Sequence, residues 1–292
     1  MPVRPNQPFG AAPEGISDAA WSGLAALLRC NETLRTGFEC TDLDRIVCRG
    51  SGRQYRVEDG VVDMVGGDPA AGGPAQRLME TSFYSSGYES VFRPALTRLV
   101  TAQGLEQSMS VSLAMLEAGA DDWVLDVGSG TGNFSRAICA SMPAGAGHVV
   151  AVDLSRPMLR QGSRMARVSG ESRLVFVRAN ALLLPFQDAS FDAVHSSAAI
   201  QLFDRPQLAV NEMARVCRPG GALVLATFVR SSSWSSRQLQ KWVGQGIGFS
   251  WFTPDVLHAM LEAADFEVRE EVIEGAAITL KGIRRAEGRQ AL

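Results

Sequence analysis

The alternation of apolar and polar positions becomes regular from Asp121 onward, where apolar runs of strand length alternate with segments of helical spacing. The predicted strands are 123–127, 148–152, 174–178, 191–195, 222–229, 267–273 and 276–283. The predicted helices are 133–142, one that opens at Ser155, 206–217, and 254–264. Repeated strand–helix units indicate an α/β domain with a parallel sheet and helices on both faces, and the last two strands have the spacing of a hairpin.

The chain before residue 121 lacks this regular alternation. Short alternating runs at 44–49, 54–57 and 61–65 predict small strands separated by glycine turns. The apolar spacing at 76–120 is that of helices, which we interpret as a lid in front of the main domain. The predicted organisation is a loose tail (1–20), a small β module (21–66), a linker (67–75), the lid helices (76–120), a main domain (121–285) with an aromatic-rich acceptor-side insertion (231–252), and a tail (286–292).

Composition and charge exclude several classes of protein. With 46% hydrophobic and 20% charged residues over 292 positions, the chain can bury a large core. The net charge of -3 provides no basic field, so we expect no nucleic-acid partner. The longest apolar run has only the length of a strand, so we expect no membrane span. Five cysteines without a dense framework, and no apolar leader, favour reduced thiols in the cytoplasm.

The strongest chemical signal lies where the first predicted strand of the main domain ends. The strand runs directly into Asp126-x-Gly128-x-Gly130-x-Gly132, and Asp153 ends the following strand. Glycines allow the tight turn and the close approach of a ligand to the backbone. An acidic residue at the end of the second strand can accept both hydroxyls of a ribose. The alternative interpretation is a tight strand–helix turn without a ligand.

The glycine spacing separates two kinds of nucleotide ligand. Dinucleotide sites use G-x-G-x-x-G and bind a pyrophosphate at the helix N-terminus, whereas here the glycines are spaced evenly. A carboxylate at Asp126 disfavours a pyrophosphate and favours a ligand that carries an ammonium group. The pattern therefore predicts an adenosyl amino acid rather than a dinucleotide. With no Gly-Lys-Ser/Thr sequence anywhere, a P-loop nucleotide hydrolase is excluded.

Together with three further stretches, this segment resembles the class I S-adenosylmethionine-dependent methyltransferases. Within them it resembles the ubiquinone/menaquinone-biosynthesis-like branch, which also methylates small natural products. The further stretches are Asp153-Leu154-Ser155 with Met158, 178–194 around Leu184-Pro185-Phe186, and 215–221. The resemblance implies a Rossmann-like fold with a seven-stranded, mostly parallel sheet, and S-adenosyl-L-methionine as cofactor. The cofactor-binding residues it implies are Asp126, Gly128, Ser129, Gly130, Gly132, Asp153, Leu154, Met158, Asn180, Ala181 and Ser196.

Two positions depart from the pattern of that family. Asn180 stands where an aspartate usually accepts a hydrogen bond from the adenine amino group, and the amide oxygen can keep that role. Gln201 stands in a segment where related sequences often have a histidine, so a base at that point is not expected. His195, at the end of the fourth strand, is the candidate base for an acceptor that must lose a proton, and a buried histidine lining the cofactor site is the alternative.

The expected acceptor is a small molecule, a secondary metabolite or a quinone-like compound methylated on carbon or oxygen. Aromatic residues are dense in 231–252 and can line a pocket for a flat or apolar acceptor, or pack as a lid. The candidate pocket residues are Tyr84, Tyr88, Gln201, Trp234 and Trp251. The sequence leaves the atom methylated and the oligomeric state open.

The module at 21–66 is similar to a zinc ribbon found ahead of some methyltransferase domains. An intact ribbon has two Cys-x-x-Cys pairs, whereas here the pairs are reduced to Cys30-x-x-Thr33 and Cys48-x-x-Ser51. Even with Cys40, three thiolates do not complete a tetrahedral site, so we expect a degenerate ribbon without metal.

Two other functions stay open at this point. The same architecture occurs in rRNA guanine methyltransferases, although the acidic balance and the incomplete zinc ligands disfavour that function. A cofactor-binding scaffold that catalyses a step without methylation, such as a cyclisation, has the same cofactor motifs. A gain of one methyl group in the product mass distinguishes a transferase from such a scaffold.

Overall fold

The computed structural model describes residues 12, 16–31, 33–34, 36–42, 44–65, 105–230 and 250–286. Its helices are α1 (Asp18–Leu27), α2 (Leu105–Leu116), α3 (Asn133–Ser141), α4 (Arg156–Val168), α5 (Pro206–Val216) and α6 (Pro254–Ala263). Its strands are β1 (Phe38–Asp42), β2 (Arg45–Cys48), β3 (Gln54–Glu58), β4 (Val61–Asp63), β5 (Trp123–Val127), β6 (His148–Asp153), β7 (Leu174–Arg178), β8 (Phe191–Ser197), β9 (Cys217–Phe228), β10 (Phe266–Glu274) and β11 (Ala277–Arg284). A 3-10 turn covers Ile200–Leu202.

The strands of the described residues form one sheet of eleven, in the order β1-β2-β3-β4-β7-β6-β5-β8-β9-β11-β10. The pairings from β4 through β7, β6, β5 and β8 to β9 are parallel. The pairings at both ends of the sheet are antiparallel. The order of the strands switches sides at β5: β6 and β7 follow on one side, and the chain then crosses to β8 on the other side. Such a switch leaves a crevice at the carboxyl edge of the strands.

The prediction of a seven-stranded, mostly parallel sheet describes only part of this architecture. The strands β5 to β11 form the predicted set, and the final pair is the predicted hairpin. Four more strands extend the sheet, because Val61, Val62 and Asp63 of β4 pair in parallel with the otherwise open edge of β7. An exposed strand edge carries unpaired backbone groups, and the N-terminal segment satisfies them here. The full sheet is therefore mixed.

Helix α1 attaches the N-terminal segment to the face of the sheet. Ser17 caps the helix by accepting a hydrogen bond from the backbone N–H of Ala20 at 3.3 Å. Its inward side is fully buried and includes Trp21 and Leu24. A Cβ added at Gly23 would lie 2.1 Å from Cζ2 of Trp123, the first residue of β5. Only glycine therefore allows this close approach of α1 to β5.

The boundaries of β9 differ from the prediction. The sequence Arg218-Pro219-Gly220-Gly221 predicts a turn before a strand at 222–229, and α5 does end immediately before it. In the structure the pairing with β8 starts earlier, at Cys217, and the register shifts between Phe191 and Ala193. This irregularity is a bulge that accommodates the extra residues, so the predicted turn is built into the strand. No helix in the described part of the chain has the length and apolar character needed to cross a membrane.

Candidate functional site

The glycine loop, residues 128–132, connects β5 to α3 at the carboxyl edge of the sheet. All three glycines have positive φ, with values of 72° at Gly128, 58° at Gly130 and 72° at Gly132. The N–H groups of Gly128 and Ser129 donate to the carbonyl oxygen of Val152 at 2.8 and 3.0 Å. These bonds fix the loop against the end of β6, which brings together the two segments that the sequence predicts as ligand-binding.

Two of the glycines are required by packing inside the protein. A Cβ at Gly128 would lie 2.3 Å from Cβ of Ala199, and one at Gly132 would lie 2.8 Å from Cε1 of Phe176. Both separations are far shorter than a carbon–carbon contact. These two positions are therefore occupied by glycine for reasons that do not involve a ligand.

The middle of the loop is different, because an added Cβ would meet no atom closer than ordinary van der Waals contact. The nearest atom to a Cβ built at Gly130 is Sδ of Met158, at 3.6 Å. The neighbouring Ser129 side chain is buried, and its Oγ has no hydrogen-bond partner among the described residues. A buried hydroxyl without a partner is unfavourable unless water or a ligand satisfies it. The middle of the loop therefore has both the space and the unsatisfied polar atom that a bound ligand requires.

The carboxylate of Asp153 closes the other side of this space. Its Oδ2 accepts a hydrogen bond from the N–H of Gly130 and its Oδ1 from the N–H of Ser155, both at 2.8 Å. Burial raises the pKa of Asp153 above its ordinary value, although these backbone hydrogen bonds oppose the increase. Each carboxylate oxygen has a second lone pair, so Asp153 can still accept hydrogen bonds from a pair of hydroxyls.

Behind the loop, Asp126, His195 and Ser135 form a buried network. Asp126 and His195 are cross-strand partners in β5 and β8, and Nδ1 of His195 lies 2.8 Å from Oδ1 of Asp126. The hydroxyl of Ser135 donates to the other carboxylate oxygen at 2.5 Å. With Asp126 ionised, Nδ1 carries the proton and Nε2 is the acceptor. That Nε2 atom is buried and has no partner in the part of the chain that the structure describes.

The remaining residues predicted to bind the cofactor surround the same crevice. Leu154 follows Asp153, and Ala181 is half-buried beyond the end of β7. Asn180 is exposed, and its Oδ1 accepts a hydrogen bond from the N–H of Leu182 at 2.9 Å. The hydroxyl of Ser196 donates to the carbonyl oxygen of Val127 at 2.8 Å, which ties β8 to β5. Among these predicted residues, Asn180 and Ser196 already make hydrogen bonds within the protein.

The predicted acceptor pocket is described only in part. Gln201 is buried, and its Oε1 accepts a hydrogen bond from the hydroxyl of Thr227 at 2.8 Å. Its carbonyl oxygen accepts from the N–H of Ser250, next to the half-buried Trp251. These contacts place the end of the 231–252 segment beside the 3-10 turn after β8. Tyr84, Tyr88 and Trp234, together with the linker and most of the lid helices, lie outside the described residues.

The zinc-ribbon-like positions form a thiol–hydroxyl cluster, which consists of Cys30, Thr33, Ser51 and Tyr55. The thiol of Cys30 lies 3.5 Å from the hydroxyl of Tyr55 and 3.6 Å from that of Ser51. Burial alone would raise the pKa of Cys30, but the hydrogen bonds from Thr33, Tyr55 and Ser51 outweigh it and lower the pKa to about 6. Within the described residues, no group of three or more histidine, cysteine or carboxylate side chains is arranged to hold a metal ion.

Some residues of the site were not found from the sequence. Ser135 reaches Asp126 from the first turn of α3, and Ala199 packs on Gly128 from the segment after β8. Neither position has a residue type or spacing that marks it. Arg178 did carry a signal, since it is a charged residue at the end of the otherwise apolar β7, and it is buried there.

Comparison with known proteins identifies the family of the segment that contains this site. Residues 125–225 match the family model described as "Methyltransferase domain". A demethylmenaquinone methyltransferase of Clavibacter sepedonicus is 42% identical over 144 residues, which are 49% of this chain and 50% of that protein. An uncharacterized chloroplastic methyltransferase of Arabidopsis thaliana is 31% identical over 229 residues, covering 76% of this chain and 59% of that protein.

The chain thus spans about half the length of the curated relatives it matches. Among solved structures, Haemonchus contortus phosphoethanolamine N-methyltransferase 2 in complex with S-adenosyl-L-methionine has a TM-score of 0.61 at 14% identity, covering 74% of this chain and 61% of that one. That similarity supports the fold. Residues 125–225 are therefore a methyltransferase domain by sequence, and the fold around them is shared with a solved methyltransferase.

Proposed function

We propose that the protein transfers a methyl group from S-adenosylmethionine to a small-molecule acceptor, a quinone-like compound or a secondary metabolite. The observation that carries this proposal is the centre of the glycine loop, where Gly130 has room for a further atom, the Oγ of Ser129 is buried without a partner among the described residues, and Asp153 accepts from the N–H of Gly130. The names of the relatives support the acceptor class, since the matched protein of Clavibacter sepedonicus is a demethylmenaquinone methyltransferase.

The residues at the crevice fit the cofactor in distinct ways. Gly130 leaves room for the ligand against the backbone, the Oγ of Ser129 offers a hydrogen bond, and Asp153 accepts from the ribose hydroxyls. Asn180 and Ala181 follow β7, and we assign them the border of the adenine. Asp126 is 1% exposed and both its oxygens have protein partners, so we assign it the role of orienting His195 behind the loop.

The cofactor supplies an already activated methyl group, so the protein contributes mainly by positioning and by excluding water. An acceptor with a hydroxyl or an acidic carbon must also lose a proton. We propose His195 as the base for such an acceptor, because Asp126 holds the proton on Nδ1 and leaves Nε2 able to accept. Gln201 and Trp251 border the acceptor side, and Tyr84, Tyr88 and Trp234 complete the proposed pocket.

The first test is calorimetric titration with S-adenosylmethionine and S-adenosylhomocysteine. We expect saturable binding that Asp153→Asn weakens at least tenfold. Asp121→Asn is the matched control, because Asp121 also caps a backbone N–H, that of Ala146 at 2.8 Å, but precedes β5 on the opposite edge of the sheet. Absence of binding by the unmodified protein, or equal loss in both variants, would contradict the proposed site.

The second test separates the candidate reactions by product mass. Incubation with S-adenosylmethionine and a set of demethylated quinones and phenols is expected to give a product heavier by one methyl group. His195→Gln keeps a polar side chain of similar reach and is expected to lower turnover while leaving cofactor affinity within threefold. Conversion without a mass gain would point instead to a scaffold for cyclisation, and salt-sensitive binding of rRNA would point to a guanine methyltransferase.

We also propose that the N-terminal segment is a zinc ribbon in which hydrogen bonds replace the metal. Thr33 and Ser51 occupy the positions of the second cysteine in each pair, and both hydroxyls contact the thiol of Cys30. A closed zinc site needs four thiolate or imidazole ligands, and hydroxyl groups are poor substitutes for them. Zinc content measured on the purified protein is expected to be far below one ion per chain, and stoichiometric zinc would contradict this assignment.

A further inference from the structure

Three charged residues form a row where adjacent parallel strands end at the cofactor edge of the sheet. Asp63 ends β4, Arg178 ends β7 and Asp153 ends β6, and the register pairs Asp63 with Arg178 and Arg178 with Asp153. Register partners on neighbouring parallel strands project from the same face of the sheet. The guanidinium of Arg178 therefore lies between two carboxylates, one from the N-terminal segment and one from the cofactor site.

Among the contacts between described residues, Arg178 pairs with Asp63. Its Nη1 lies 3.1 Å from Oδ2 of Asp63, and its Nε donates to the carbonyl oxygen of Leu154 at 3.0 Å. Arg156, the first residue of α4, also contacts Oδ2 of Asp63, at 2.6 Å. The side chains of Asp63 and Arg178 are 9% and 8% exposed, so this ion pair is largely shielded from water.

Within the described residues, the donors to the Asp153 carboxylate are backbone N–H groups, those of Gly130, Leu154 and Ser155. A buried cation that loses its partner moves to the nearest available anion, because an unpaired charge inside a protein is strongly unfavourable. We take Asp153, the register partner of Arg178 on the other side, as that anion. An ion pair between them would occupy the carboxylate that is proposed to accept the ribose hydroxyls.

We propose that Asp63, contributed by the N-terminal segment, is a positioning residue for the cofactor site: it holds the Arg178 guanidinium away from Asp153 and so keeps that carboxylate available to the ribose. The proposal rests on the cofactor site described under the proposed function. The proposal gives the N-terminal strands β1 to β4 a role in cofactor binding, although they lie beyond β7 and the glycine loop follows β5.

The test compares the affinity for S-adenosylhomocysteine, measured by calorimetry, among variants of the full chain. Asp63→Asn keeps the size and loses the charge, and is expected to bind at least tenfold more weakly. Glu58→Gln is the matched control, since Glu58 belongs to the same hairpin and pairs with Arg156 and Arg160 on the exposed surface. Its affinity is expected to stay within twofold of the unmodified protein.

A suppressor variant separates positioning from simple loss of structure. Asp63→Asn combined with Arg178→Gln removes the cation that would capture Asp153, so at least half of the lost affinity, on a logarithmic scale, is expected to return. If Asp63 served only to dock the N-terminal segment, Arg178→Gln alone would lose affinity as Asp63→Asn does, because each breaks the same ion pair, whereas the proposal expects Arg178→Gln to bind normally. Equal or weaker binding by the double variant would overturn the proposal.

Two further results would each refute a different claim. An unmodified protein that does not bind S-adenosylhomocysteine would refute the proposed function itself. A binding-competent protein in which Asp63→Asn behaves like Glu58→Gln would refute only the role of Asp63. If Asp63→Asn does not fold, Arg178→Gln alone tests the proposal, because it breaks the same ion pair. Its affinity for S-adenosylhomocysteine is expected to stay within threefold of the unmodified protein. A tenfold loss would overturn the proposal.

Discussion

The thiol–hydroxyl cluster and the glycine loop both contain buried polar atoms, but they differ in how completely the hydrogen bonds of those atoms are satisfied. In the cluster, the thiol of Cys30 is surrounded by hydroxyl groups that contact it directly. At the glycine loop, the Oγ of Ser129 and the Nε2 of His195 are buried without a partner in the described residues. Buried polar atoms are normally paired, and those of the cluster are paired within the protein. Those of the loop are not, which is why we propose that a ligand pairs them.

The largest expected loss of stability is at a glycine of the loop, and a glycine beside the cluster with the same backbone conformation is its control. Gly128 in the loop and Gly52 beside the cluster both have φ of 72°, but only Gly128 has an atom within reach of an added Cβ, Ala199 at 2.3 Å. Alanine in this conformation costs about 1 kcal/mol, and overpacking adds about 1–3 kcal/mol. We expect Gly128→Ala to destabilise by about 3 kcal/mol and Gly52→Ala by about 1 kcal/mol, measured by urea unfolding. Equal losses would show that packing against Ala199 is not what requires glycine.

Removing the thiol at the centre of the cluster is expected to have the next largest effect. Cys30→Ala leaves the buried hydroxyl of Tyr55 without its thiol partner, which costs about 1–3 kcal/mol. Cys30→Ser keeps a hydrogen-bonding atom and should lose less. Neither change should alter the affinity for S-adenosylhomocysteine, because the cluster has no unsatisfied atom for a ligand. A parallel loss of affinity in calorimetry would break the distinction between the two regions.

The open centre of the loop is tested by a small substitution that fills it. The Cβ of Gly130→Ala meets no atom closer than 3.6 Å, so we expect a loss of stability similar to that of Gly52→Ala. The methyl group occupies the proposed ligand space, so the affinity for S-adenosylhomocysteine should fall at least tenfold, about 1.4 kcal/mol. Unfolding and calorimetry on the same preparation check both parts. Unchanged affinity would place the ligand elsewhere.

The sequence predicted the strands and the glycine loop well, but it did not predict which distant segments pack against them. The strand–glycine–helix segment and Asp153 depend on local patterns, since apolar periodicity, positive φ and strand ends are all encoded within about thirty residues. The pairing of β4 with β7 is not local: nothing in Val61, Val62 or Asp63 indicates which edge they join. The partners of Asp126 were missed in the same way, because Ser135 and His195 reach it only through tertiary packing.

The smallest expected effect is a pH dependence that distinguishes the carboxylate at the loop from an ordinary one. Burial raises the pKa of Asp153 in the ligand-free protein, and the ribose hydroxyls require the ionised form as acceptor. Affinity should therefore be full above that raised pKa and fall as the pH drops below it, which begins at a higher pH than the ordinary aspartate value of about 3.9. We expect the affinity for S-adenosylhomocysteine, measured by calorimetry, to decrease as the pH is lowered from neutral toward the ordinary aspartate range, and a flat profile for Asp153→Asn. The same slope in both proteins would assign the titration to another group, and would leave Asp153 as a structural cap of the loop like the satisfied groups around Cys30.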